Sequence, residues 1–142
     1  MTTNAVPRWW LPITILALLW NLVGCMAYLM DVRMTPEQIA ALTPAQQELL
    51  NGRPAWAVAA SAIAVWGGAL GSLGLILRKR WALPVLIASL LGVLGQDFGM
   101  FVLADVTAVY GIVPLVLQCV VLLIAIGLIL LARRGIARGW IA

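Results

Sequence analysis

Asp97 is the one ionisable side chain well inside a long apolar run of this sequence. At the centre of a membrane-spanning helix such a group costs about 2.5–3.5 kcal/mol on insertion scales, so it usually faces a partner, water or a solute pathway. No basic residue lies inside the apolar runs to neutralise it. Two roles are open to Asp97: binding a solute or carrying a proton, or serving as a neutral structural hydrogen-bonder. Other reactive side chains are sparse. The chain has no histidine, which removes the commonest general base and the commonest neutral metal ligand. Cys25 and Cys119 are far apart and form no CxxC, and a structural zinc needs four ligands. No nucleophile–base spacing stands out. No enzymatic activity, catalytic residue, metal or cofactor is therefore expected.

What could hold Asp97 in place is set by composition. Hydrophobic residues make up 64% of the 142 and charged residues 10%, whereas a soluble domain carries about 25% charged residues. Too few charges remain to cover a water-facing surface, so lipid is the expected solvent of a single membrane domain spanning 1–142. The formal charge of +4 does not point to nucleic acid, because the basic residues cluster at the ends of apolar runs. Four runs reach the roughly 20 residues that a helix needs to cross hydrocarbon, at about 9–30, 55–77, 82–104 and 111–132. Pro12, Pro54, Pro84 and Pro114 mark their starts, where a missing N–H is tolerated.

Basic residues orient the runs. Arg8, Arg78, Lys79, Arg80, Arg133, Arg134 and Arg138 fall on one side and only Arg33 and Arg53 on the other. The excess marks the cytoplasmic face, so both termini are expected inside and the 31–54 loop outside. Trp9, Trp10, Trp81 and Trp140 lie beside the inner arginines, and Trp56, Tyr28 and Tyr110 near the outer ends, as in an interfacial aromatic belt. Trp20 and Trp66 fall near mid-span and suit either core packing or the wall of a binding cavity. In the outer loop, Thr35-Pro36-Glu37-Gln38 and Thr43-Pro44-Ala45-Gln46 each combine an N-cap threonine, a first-turn proline and a glutamine three residues after the cap. The pattern predicts two short helices, a cap over the mouth of the bundle.

Packing signals are clearest in the second and third runs. The second run carries Gly67, Gly68, Gly71 and Gly74 and the third Gly92, Gly95 and Gly99, and a few residues join the two in a hairpin; small residues at such spacing let helix backbones approach closely. Thr14, Ala17, Asn21, Gly24, Tyr28 and Asp31 form a stripe on the first helix, and Gln118 and Ala125 a similar one on the fourth. Asp97 lies about 10 Å below the outer end of its helix at 1.5 Å per residue. Gln118, Ser61 and Cys119 come to similar depth and Asn21 slightly deeper, which predicts a polar pocket in the outer half. At 100° per residue, however, Asp97 points away from the glycine face and toward the fourth helix, a second protomer or lipid. A disulfide between Cys25 and Cys119 would require neighbouring helices; otherwise both are small apolar fillers. Leu22-Val23-Gly24-Cys25 has the form of a lipobox, but the apolar run continues to Met30, which suits a full span better.

Trp66-Gly67-Gly68, Arg78-Lys79-Arg80-Trp81-Ala82 and Ser89-Leu90-Leu91-Gly92-Val93-Leu94 give the chain a resemblance to small bacterial four-span inner-membrane proteins, loosely labelled hypothetical or "sugar transporter". The resemblance implies a multi-pass protein of the bacterial inner membrane and carries no catalytic or binding residues. The expected architecture is an all-α, up-down-up-down four-helix membrane bundle. The first functional expectation is helix–helix interaction, as an accessory or scaffold subunit in a homodimer or larger membrane complex. The second is a small oligomeric transporter of a solute or protons, with Asp97, Gln118, Asn21, Ser61, Trp20 and Trp66 at its pocket.

Overall fold

The computed structural model describes residues 5–142, which are all-helical with no strand. The helices are α1 (Trp10–Val32), α2 (Pro36–Ala40), α3 (Pro44–Asn51), α4 (Ala55–Ile76), α5 (Ala82–Phe98), α6 (Val106–Tyr110) and α7 (Val113–Ala137), with a π-helical turn over Gly99–Leu103 continuing α5. Four of them, α1, α4, α5 with its π-turn, and α7, are long and apolar enough to cross a membrane. Their outward faces carry large apolar side chains in the open, among them Leu16, Leu91 and Leu123. Contiguous apolar surface on this scale belongs against lipid or another protein.

Local chemistry sets the shorter elements. Thr35 accepts a hydrogen bond from the Gln38 backbone N–H while the Gln38 side chain accepts from the Thr35 N–H, and Thr43 and Gln46 repeat the arrangement. Both capping boxes form where the sequence places them. Pro12, Pro84 and Pro114 sit in the first turns of α1, α5 and α7, whereas Pro54 is the N-cap of α4. Two features depart from the expected spans. The turn before α7 contains α6, capped by Asp105 on the Ala108 N–H, and α7 runs past 132 to Ala137, drawing Arg133 and Arg134 into the helix.

The long helices stand in a row, α1 against α4, α4 against α5, and α5 against α7, with slight contact between α4 and α7 and none sustained between α1 and α7. Neighbours run antiparallel. The glycine hairpin is the tightest seam: the Ser89 hydroxyl donates to the Ala64 carbonyl at 2.6 Å, and a β-carbon at Gly92 would lie 2.7 Å from both the Ala60 oxygen and the Ala64 nitrogen. Gly67 sits over Ser89, Gly71 over Leu86, Gly74 over Ala82 and Trp81, Gly95 over Ala60, and Gly99 over Ala57. On the other flank, Asn21 meets Gly68 and the Cys25 thiol donates to the Val65 carbonyl at 3.3 Å.

The row closes into a bundle only at the end that carries Arg78, Lys79 and Arg80, the start of α1 and the end of α7, the basic end. There Trp10, Leu75, Ala82, Leu86, Leu128, Ala132, Trp140 and Ile141 form one buried cluster. Gly139, at φ 75°, turns the chain back after α7; a left-handed backbone of this kind favours glycine. Trp140 and Ile141 then fold onto Trp10 and Gly135, and the Ala142 N–H donates to the Arg78 carbonyl. The belt expected of Trp9, Trp10, Trp81 and Trp140 is thus divided. Trp9 and Trp81 remain exposed, but Trp10 is only 2% exposed and Trp140 8%. Trp10 donates its indole N–H to the Leu75 carbonyl at 3.1 Å, as a buried indole usually does, whereas the buried indole N–H of Trp140 has no acceptor.

Candidate binding cavity

Because α1 and α7 meet only at the basic end, the other half of the row, the loop end, encloses a cavity of about 690 Å³. That volume falls within the roughly 300–1,000 Å³ of small-molecule sites, which are mostly apolar with a few convergent polar groups. All four long helices line it. One face of α5 presents Leu86, Ser89, Val93 and Gln96, at helical steps of three and four residues, and the π-turn adds Met100 and Leu103. Leu86 and Leu128 form the floor, shared with the buried cluster. Leu42, Leu49 and Leu50 from the loop with α2 and α3 form the roof, in keeping with a cap over the mouth. Asp31 and Arg53 stand at the rim and pair with each other at 2.5 Å.

The polar groups inside are uncharged. Gln96 on α5 donates its amide N–H to the side-chain oxygen of Gln118 on α7 at 2.9 Å. Asn21 donates to the Ala17 carbonyl at 2.8 Å and to the Ser72 hydroxyl at 3.2 Å. Ser61 donates to the Ala57 carbonyl at 3.1 Å. The arrangement offers hydrogen bonding and apolar contact but holds no nucleophile–base pair. Among the described residues no group of three or more His, Cys, Asp or Glu could hold a metal ion.

The structure brings Asn21, Ser61, Gln118 and Trp20 to this cavity, while Asp97 and Trp66 lie outside it. Trp66 is 45% exposed on the outer face of α4. Asp97 lines a separate shallow groove of about 290 Å³ with Phe98, Phe101, Leu115 and Cys119. One residue beyond Gln96 is 100° further round the helix, so the rotation that turns Gln96 inward carries Asp97 over the far side of α7. Gln118 stands in the wall between the two hollows. One carboxyl oxygen of Asp97 is buried without a hydrogen-bond partner. Cys25 is buried against α4 and Cys119 is exposed beside Asp97; both are free thiols. Gln96 is the polar group that sequence reasoning missed. Its signal was its place at i+7 from Ser89 and i+3 from Val93, overshadowed by the acid next to it.

No family model, curated protein or solved structure matches the chain.

Proposed function

We propose that this chain is a multi-pass membrane protein that takes a small, largely apolar molecule from the bilayer into its loop-end cavity, to hold or to move it. The observation that carries this reading is the cavity itself: about 690 Å³, closed at the basic end and left open sideways where α1 and α7 do not pack. The reading keeps the expected solute-binding role but centres it on Gln96 and Gln118 instead of Asp97. By the basic-residue bias the loop end faces outward and both termini face the cytoplasm, and the family resemblance implies a bacterial inner membrane. With Glu48→Cys and Lys79→Cys variants in intact cells, an impermeant thiol reagent is expected to label the first and to miss the second until the cells are opened.

The binding reading is tested with a long-chain alcohol bearing a diazirine, photolysed with the protein in lipid vesicles and mapped by mass spectrometry. Adducts are expected at Val121, Leu49 and Gln118 inside the cavity. Ala125→Trp, which fills part of it, is expected to remove most of them while leaving thermal unfolding unchanged. Adducts confined to Leu16, Leu91 and Leu123 would overturn the reading.

A second reading, as an accessory or scaffold subunit, draws on the groove at Asp97. Its unpartnered carboxyl oxygen faces an apolar hollow that a helix from a second copy or a larger membrane complex could cover while supplying a donor. A photo-crosslinking residue at Phe101 is expected to capture that helix, and Asp97→Leu to weaken the capture. A protein that runs as a monomer in mild detergent with no crosslinks at Phe101 removes this alternative.

A further inference from the structure

Resting on the binding reading above, we infer that the cavity selects an uncharged amphiphile whose head both donates and accepts a hydrogen bond, a hydroxyl or an amide, seated on the Gln96–Gln118 pair with its tail leaving between α1 and α7.

The charges of the lining limit the head. Among the described residues, the only ionic side chains on the cavity wall are Asp31 and Arg53, which neutralise each other at the rim. Asp97, the remaining acid at this depth, opens onto the other hollow behind Gln118. A charged head drawn into the interior would lose its hydration without meeting a counter-charge, and such burial is strongly unfavourable. A neutral head loses far less, provided its hydrogen bonds are replaced.

The hydrogen bonds already made limit it further. The hydroxyls of Ser61 and Ser89 donate to the carbonyls of Ala57 and Ala64, and the Asn21 amide donates to Ala17 and Ser72. Between Gln96 and Gln118 only one hydrogen bond is made, from the Gln96 N–H to the Gln118 oxygen. Both side chains line the cavity, and the Gln118 amide N–H groups and the Gln96 carbonyl oxygen take no part in that bond, so a donor and an acceptor are available on two neighbouring side chains. A hydroxyl or an amide can meet both at once, whereas a head that only donates or only accepts leaves one of them unpaired.

The open side fits the tail. Val23 on α1 is 67% exposed and Leu117 on α7 is 50% exposed, and both line the cavity at the gap between helices that do not pack along their lengths. An alkyl chain lying in that gap stays in apolar surroundings from the cavity out to the bilayer.

The test uses probes with the same diazirine-bearing alkyl chain, ending in a primary amide, a sulfonate or a quaternary ammonium, and a headless hydrocarbon. Each is photolysed with the full chain in phosphatidylcholine vesicles. The amide probe is expected to label the cavity at least ten-fold more than either charged probe. Gln118→Leu is expected to lower amide-probe labelling about ten-fold, the worth of a lost buried hydrogen bond, and to leave hydrocarbon labelling unchanged. Gln96→Met is expected to give the same loss, and unchanged hydrocarbon labelling shows that each variant is folded. Equal labelling by a charged probe, or amide labelling indifferent to both glutamine variants, overturns the head assignment and leaves the cavity reading standing. If none of the probes, the hydrocarbon included, reaches the cavity, the reading on which the inference rests fails.

Discussion

The two ends of this molecule solve the same packing problem differently. At the basic end, α1, α4, α5, α7 and the returning C-terminus interlock around Trp10, Trp140 and Ile141, and Gly135 admits both Trp10 and Ile141 against its backbone. At the loop end α4 still packs on α1 and α5, but α1 and α7 stay apart, and the inner face of the row lines a cavity. The difference lies in side-chain supply. The basic end has two buried indoles, a glycine under them and a segment after Gly139 that folds back. The loop end has Gln96 and Gln118, which join α5 to α7 by a single hydrogen bond, and short helices that roof the gap without filling it. One end holds the row together so that the other can stay open.

The comparison is broken most directly at Trp10. Trp10→Ala removes a fully buried indole together with its hydrogen bond to Leu75 and is expected to cost about 3–5 kcal/mol. Trp56→Ala, at the loop end and 47% exposed, is expected to cost under about 1 kcal/mol. Denaturant unfolding of the two variants in detergent checks the contrast; equal losses would mean that the basic end is not the clamp. The seam between the ends comes next. A β-carbon at Gly92 would press on the Ala60 and Ala64 backbone, which cannot yield as a side-chain tip can, so Gly92→Ala is expected to cost about 1–3 kcal/mol. Gly127 meets nothing within 4 Å, and Gly127→Ala is expected to gain about 0.5–1 kcal/mol from helix propensity. A melting temperature that falls for the first and rises for the second sharpens the distinction between packed and open faces.

What was legible in the sequence was local. The capping boxes at Thr35 and Thr43 need only three residues to announce themselves, and the spans follow from hydropathy summed along the chain. The glycine seam was legible because its spacing is periodic. The clamp was not, because it depends on where Gly139 sends Trp140 and Ile141. Beside arginines at the end of a span, Trp140 reads equally well as an interfacial ring. The cavity was half legible. Asn21, Ser61 and Gln118 were placed by depth alone, but the choice between Gln96 and Asp97 turns on helix rotation, and neighbours in sequence differ by 100°. The π-turn over Gly99–Leu103 adds a further change of register that no local signal in the chain announced.

The smallest effect is expected at the rim, and it bears on whether the loop end is truly open. Asp31 on α1 and Arg53 just before α4 form an ion pair, a candidate latch that would hold the cavity mouth in one shape. Both side chains are partly exposed, 33% for one and 41% for the other, so water and salt screen the attraction and such pairs contribute about 0–1 kcal/mol. Arg53→Gln is therefore expected to lower stability by less than about 1 kcal/mol, and less in high salt than in low. A loss comparable to that of Trp10→Ala would mean that the loop end is clamped as firmly as the basic end. A cavity so clamped would have a fixed opening, and its selectivity would then be set by shape at the rim more than by the two glutamines inside.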